Sequence, residues 1–269
     1  DKYTAGLIAK AYPCRLEECV NKGTIEITNQ ATTQAVAGLI AYAQNANSLG
    51  YDIVRSHNEV DITAGALVAG LVGQVQSSSS NRNALRLVES YNTGNISAVS
   101  TSTVRNAPTA GLTAFYTPGS TYTDCYNTGS VKSEKNAYTA GIAAYYFDSS
   151  NKDNPITFTR TTNSGNIVAN GEQGGGITAY ARGYLTIDNC SNTGNVNGTY
   201  SLGGLVGYIA SSDVVISNSF NSGNITNASS KTGGLIGAGT ANARVTNSFN
   251  TGEVATTGTE GGTSYTNGY

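Results

Sequence analysis

"SYNTGNI" at residues 90–96 is spelled again, with small changes, as "CYNTGSV" at 125–131, "SFNSGNI" at 219–225 and "SFNTGEV" at 248–254. Aligning the whole chain on this Asn-x-Gly gives Asn21, Asn58, Asn92, Asn127, Asn163, Asn192, Asn221 and Asn250, with Val60 replacing the Gly in the second copy. The last four Asn lie 29 residues apart. Repetition at this period is the mark of a stacked architecture, in which one unit cannot close a core by itself.

A second marker alternates with the first: Gly6-Leu7, Gly38-Leu39, Gly70-Leu71, Gly111-Leu112, Gly141-Ile142, Gly176-Ile177, Gly204-Leu205 and Gly234-Leu235. Two residues after each Leu or Ile comes Ala or Gly, from Ala9 to Gly237. Large and small residues at a period of two predict a short strand with both on its inner face. A second strand ends just before the Asn, on the small-residue rung Cys19, Ser56, Ser90, Cys125, Thr161, Cys190, Ser219 and Ser248. A third begins at Ile25, Ile62, Ile96, Val131, Ile167, Val196, Ile225 and Val254. The expected fold is all-β: a single β-solenoid of about eight coils with three short strands per coil. Its units fall near 3–34, 35–66, 67–107, 108–137, 138–171, 172–200, 201–230 and 231–255. Residues 256–269 read as a linker or an incomplete ninth coil.

Stacking explains the repetition of the turn. Coils about 4.8 Å apart bury each Leu and Ile against its copies above and below, at about 1.5–3 kcal/mol per buried side chain. Asn suits such a corner because it tolerates positive φ and its amide bonds either the backbone or its copy in the next coil, and the Gly supplies angles that Asn does not. The same register sets Cys19, Cys125 and Cys190 on one rung two and three coils apart, beyond disulfide reach, as thiols in a Ser-sized slot. Cys14 and Cys19 form a local pair, either bridged or free.

The chain has 269 residues with 12% charged side chains and a formal charge of −2. Lacking clustered Lys and Arg, it carries no footprint for nucleic acid, and no apolar run is long enough to cross a bilayer as a helix. It opens at Asp1 and contains no Met, the style of a piece of a longer, exported polypeptide.

Gly70-Leu71-Val72-Gly73, Gly204-Leu205-Val206-Gly207 and Gly234-Leu235-Ile236-Gly237 resemble the GLUG motif, a repeat of large bacterial surface proteins. The other five units carry Ala at the fourth place, and the resemblance extends over residues 3 to about 258. It implies an adhesin-like region similar to the non-catalytic parts of immunoglobulin A1-cleaving metallopeptidases, displayed on the cell surface or outside the cell. It implies no protease: the zinc motif H-E-x-x-H needs two His, and this chain has one, His57.

Three stretches are candidates for function. The sequence "RSHNEVD" at 55–61 puts His57 beside Ser56, Glu59 and Asp61, either an acid/base or metal cluster or a decorated corner. Aromatic residues four after the marker Gly, at Tyr42, Phe115, Tyr145, Tyr180 and Tyr208, are out of phase with the inward Leu and offer flat outward rings for a sugar or a partner protein, or a ladder that stabilises itself. A second outward rung carries His57, Tyr91, Tyr126, Phe220 and Phe249. Insertions near "NANSLGYD", "SSSSNRNALRL", "DSSNKDNP" and "STSTVRNAP" lengthen units two, three and five, and hang Arg82, Arg86 and Arg105 from corners of one coil, as interface anchors or as tolerated insertions. No residue is assigned a catalytic or metal-binding role, and no cofactor is expected. The function expected is non-enzymatic binding of a host protein, such as an immunoglobulin, or of a glycan. The alternatives are a passive stalk and, less well supported, a polysaccharide-active β-helix enzyme, for which acids such as Asp124 and Asp188 are too scattered.

Overall fold

The computed structural model describes residues 3–25, 27, 35–44, 50–65, 67–76, 84–99, 107–135, 137–145, 153–210, 213–228 and 231–257. These residues form an all-β solenoid. Every pairing between strands is parallel and joins one coil to the next, giving four eight-stranded sheets and one seven-stranded sheet. Coil six shows the plan: Gln173–Gly175 lies in sheet one, Thr178–Ala181 in sheet two, Leu185–Asp188 in sheet three, Ser191–Asn192 in sheet four and Val196–Gly198 in sheet five. The solenoid is the one the repeat predicts, but the coil is folded from five strands rather than three. The Gly-Leu marker is a bend between sheets one and two, where the sequence pattern suggests an unbroken strand.

That bend changes what faces inward. Leu39, Leu71, Leu112, Ile142, Ile177 and Leu205 are fully buried in a core with residues of sheets two and three such as Val72, Ile53, Leu87, Phe158 and Ile187. The Ile and Val rung of sheet five fills a separate core with Val36, Val68 and Leu202 of sheet one. The small residues expected beside the Leu turn the other way: Ala144 and Ala179 cluster with Tyr138 and Tyr145, apart from both cores.

The two sequence markers meet across the interior and separate the two cores. Asn127 donates through Nδ2 to Asn163 Oδ1 at 2.8 Å and to Gly129 O at 2.8 Å, and the same pair of bonds recurs from Asn58 to Asn221. Such an amide stack leaves few buried polar groups unpaired, as burial requires. Each marker Gly lies directly against an Asn of this stack: a Cβ on Gly141 would sit 2.3 Å from Asn163 Cγ and 2.3 Å from Gly176 O. The Gly-Leu motif therefore carries Gly because its wall of the coil is drawn in onto the Asn.

Positive φ falls elsewhere than expected. It occurs three residues before each stacked Asn, at Glu18, Arg55, Glu89, Asp124, Arg160, Asn189, Asn218 and Asn247, with values from 46° to 58°. The stacked Asn end the short strands of sheet four, and the Gly of Asn-x-Gly serves close approach: a Cβ on Gly129 would lie 2.0 Å from Gly94 O. The small-residue rung is also bonded. Ser56, Ser90 and Ser219 each donate to the carbonyl two residues earlier, and their Oγ accepts the amide N–H of the preceding coil's rung residue. Cys125 and Cys190 occupy that slot as buried free thiols, with Cys14 and Cys19 also free and partly exposed.

Candidate binding groove

Because the Gly-Leu wall is pulled inward, sheets one and two meet at an angle that is concave on the outside. Their outward side chains converge: Tyr3 stacks on Tyr42 with ring centroids 4.3 Å apart, and Tyr138 stacks on Tyr145 at 4.2 Å. Ala140, Ala144 and Ala179 pack beneath these rings, and in coils five to eight the angle opens into a groove of about 490 Å³. Tyr138, Glu172, Gln173, Tyr180, Tyr200, Tyr208 and Lys231 line it. This volume lies within the range of small-ligand sites.

The rings are set by register. Lys10, Tyr42, Gln74, Phe115, Tyr145, Tyr180, Tyr208 and Ala238 follow one another across sheet two. Gln74 interrupts the row, so Tyr42 belongs with Tyr3 at one end, and Phe115, Tyr145, Tyr180 and Tyr208 form a continuous run. Phe115 meets Tyr145 edge-on at 5.1 Å, and Tyr180 and Tyr208 are stacked at 5.7 Å with planes 13° apart. Tyr145, read from the sequence as an outward ring, is only 2% exposed because Tyr138 covers it. Burial raises the phenol pKa of Tyr145 to about 12 and also raises those of Tyr138 and Tyr180, so these three phenols hold their protons more firmly.

The polar rim is held from below. Buried Asn227 donates through Nδ2 to the carbonyl oxygens of Tyr200 and Lys231, at 2.7 and 3.1 Å, and Lys231 Nζ stands 5.4 Å from the centre of the Tyr200 ring. Gln173 lines the groove and is paired with Ser201 on the adjacent strand of sheet one. Gln173 is 6% exposed and Ser201 fully buried, yet Gln173 Oε1 and Ser201 Oγ have no hydrogen-bond partner.

The other sequence candidates do not assemble a site. His57 Nε2 lies 3.0 Å from Glu59 Oε1, which also pairs with Lys22 at 3.4 Å, while Asp61 accepts the Asn95 amide. Ser56 points inward, on the opposite side of the strand from His57, so no nucleophile and base are brought together. His57, Tyr91 and Tyr126 form a self-stacked ladder at 4.2 and 4.5 Å, as do Phe220 and Phe249 at 5.3 Å. Among the described residues no cluster of three or more metal-ligating side chains occurs. Arg86 sits on a sheet-three strand rather than a corner loop, bonded by Nε and Nη2 to Asp52 at 2.9 and 3.2 Å. Arg82 and Arg105 lie outside the described residues, as do most of the insertions: 45–49, 77–83, 100–106, 148–152 and the tail from 258. Asp124 is held by Arg160 and Asp188 by Ser217 and Asn218, and the two occupy different rungs.

Of the groove lining, sequence reasoning finds Tyr180 and Tyr208 and misses Tyr138, Glu172, Gln173, Tyr200 and Lys231. A usable signal exists: Tyr3, Tyr138, Gln173, Ser201 and Lys231 all stand three residues before a marker Gly.

The fold defines a β-solenoid repeat protein. No family model matches the chain, and no curated protein matches it at a significant level.

Proposed function

We propose that this chain is a non-enzymatic interaction module of a larger bacterial cell-surface protein, binding a host protein or glycan through the aromatic groove between sheets one and two. The observation that carries this reading is the groove itself. Four Tyr, an acid, an amide and an amine converge in one concave strip, whereas a passive stalk has no need of such a recess. The GLUG-like units favour surface display, and the rigid stack below would fix the groove's geometry before any ligand arrives, which lowers the ordering cost of binding. Among the described residues Glu172 is the one carboxylate lining the groove, whereas glycoside hydrolysis ordinarily uses a pair, so binding is favoured over catalysis.

The test is capture from mucosal secretions on the immobilised chain, with mass spectrometry of the bound proteins and glycans. The expected result is specific capture that is lost in the Tyr180→Ala/Tyr208→Ala double variant and kept in Tyr91→Ala, whose ring lies in a different ladder. Capture lost only on trimming 77–83 and 100–106 would move the site to those inserted segments. No capture above background would leave a spacer.

A further inference from the structure

The groove's lining also indicates what chemistry fills it. Resting on the binding reading above, we infer that the ligand is a neutral saccharide chain lying along the solenoid across coils six to eight, its hydroxyls bonded to Gln173 and its rings against the stacked Tyr180 and Tyr208. Four observations converge on this class.

First, the unpartnered group asks for a hydroxyl. Gln173 is more than nine-tenths buried, lines the groove and leaves Oε1 unpaired. A buried acceptor without a partner destabilises the free protein, and an incoming donor relieves it. A carboxylate, sulfate or phosphate carries no donor for that oxygen. An alcohol both donates and accepts, so it satisfies either end of the Gln173 amide.

Second, the aromatic strip suits sugar rings. Tyr180 and Tyr208 are half-buried, one coil apart and stacked with planes 13° apart, so together they offer the exposed edge of an apolar stack with polar tips. Successive rings of a polymer are thereby met by successive coils.

Third, the rim offers hydroxyls both roles. Glu172 and Lys231 line the strip, so hydroxyls find an acceptor in the first and a donor in the second.

Fourth, the rim is anchored. Asn227 fixes the backbone at Tyr200 and Lys231, so the upper edge is set in place before a ligand arrives.

The experiment screens the native chain on a printed array of defined neutral and acidic oligosaccharides, then titrates the strongest hit by calorimetry against Tyr208→Ala and Gln173→Met. The expected result is a neutral oligosaccharide bound at least tenfold more weakly by both variants, with Gln173→Met no less stable to urea than the native chain. Lower affinity without lower stability separates a binding role for Gln173 from a structural one. Circular dichroism checks the fold of Tyr208→Ala, and Gln173→Met carries the test if that variant misfolds. Binding confined to acidic glycans, or undiminished in folded variants, overturns the inference. A blank array alongside groove-dependent capture of a mucosal protein overturns the saccharide and keeps the interaction module; a blank array with no capture overturns both.

Discussion

At the scale of single residues, the corner before sheet four places a left-handed backbone under side chains that do not favour it. Coils six to eight use Asn189, Asn218 and Asn247 there, and Asn adopts such angles with local hydrogen bonds. Coils two and five use Arg55 and Arg160, whose ion pairs with Glu17, Glu18 and Asp124 give a partial return. Glu89 has the same angle, φ 49°, on an exposed corner. Glu89→Asn is therefore expected to stabilise the chain by about 1 kcal/mol, read as a higher midpoint in urea unfolding with an unchanged slope. The buried thiols supply a second expectation. Burial raises the pKa of Cys125 and Cys190 to about 12 from an ordinary value of 9.0. A thiol-specific disulfide reagent at pH 8 is expected to react with at most Cys14 and Cys19 in the folded chain and with all four once urea is added. Full reaction without denaturant would show that the rung is not buried.

At the scale of elements, the Asn stack and the Gly-Leu bend form one device. Asn127→Ala removes the donor to Gly129 and Asn163 and the acceptor for Asn92 in a site that excludes water. With buried groups left unpaired at about 1–3 kcal/mol each, a loss of about 3 kcal/mol is expected, and a smaller one for Asn250→Ala at the last coil. Gly141→Ala attacks the same contact from the other side and is expected to cost as much, since its methyl would need the space of Asn163. Equal, small effects for Asn127→Ala and Asn250→Ala would deny the stack its structural role. Much of this was legible before folding: the register of Asn, Leu and Ile copies is the register of the sheets, down to Asn92 beside Asn127 and Ile96 beside Val131. What the pattern conceals is the contact between the markers. Alternation read from Leu7 to Ala9 assumes a continuous strand, and a bend at Gly-Leu resets which side is inward. That reset turned Ala144 outward, made the angle between sheets one and two concave and so created the groove. Tyr138 and Lys231 were hidden for the same reason, since their place on the groove depends on a fold in the wall and not on spacing along one strand.

At the scale of the whole molecule, the interior holds acids that strongly prefer to stay neutral. Besides the two thiols, burial raises the phenols of Tyr51, Tyr122 and Tyr138. Each of these groups keeps its proton to higher pH in the folded chain than in the unfolded one. Between about pH 9, where unfolded thiols ionise, and about pH 12, the native state binds more protons, so stability falls as pH rises. The contribution is intact below pH 9. The lowered carboxylates, including Glu17, Asp124 and Asp188, act in the opposite direction: their contribution is present above the usual carboxylate range and fades as pH falls through it. They lie on the surface, where such pairs contribute little. Thermal unfolding followed from pH 3 to pH 11 is thus expected to show a shallow acid limb and a steep alkaline one, and a steeper acid limb would contradict the ranking.

The stacked Asn also give the molecule a direction. Each amide hands its proton donor to the following coil and its acceptor to the preceding one, so the internal dipoles add with their positive ends toward Asn250. The column has a plus end and a minus end, like a row of aligned bar magnets. Further coils of this kind can continue it only in the same sense, because a coil entering upside down would set donor against donor.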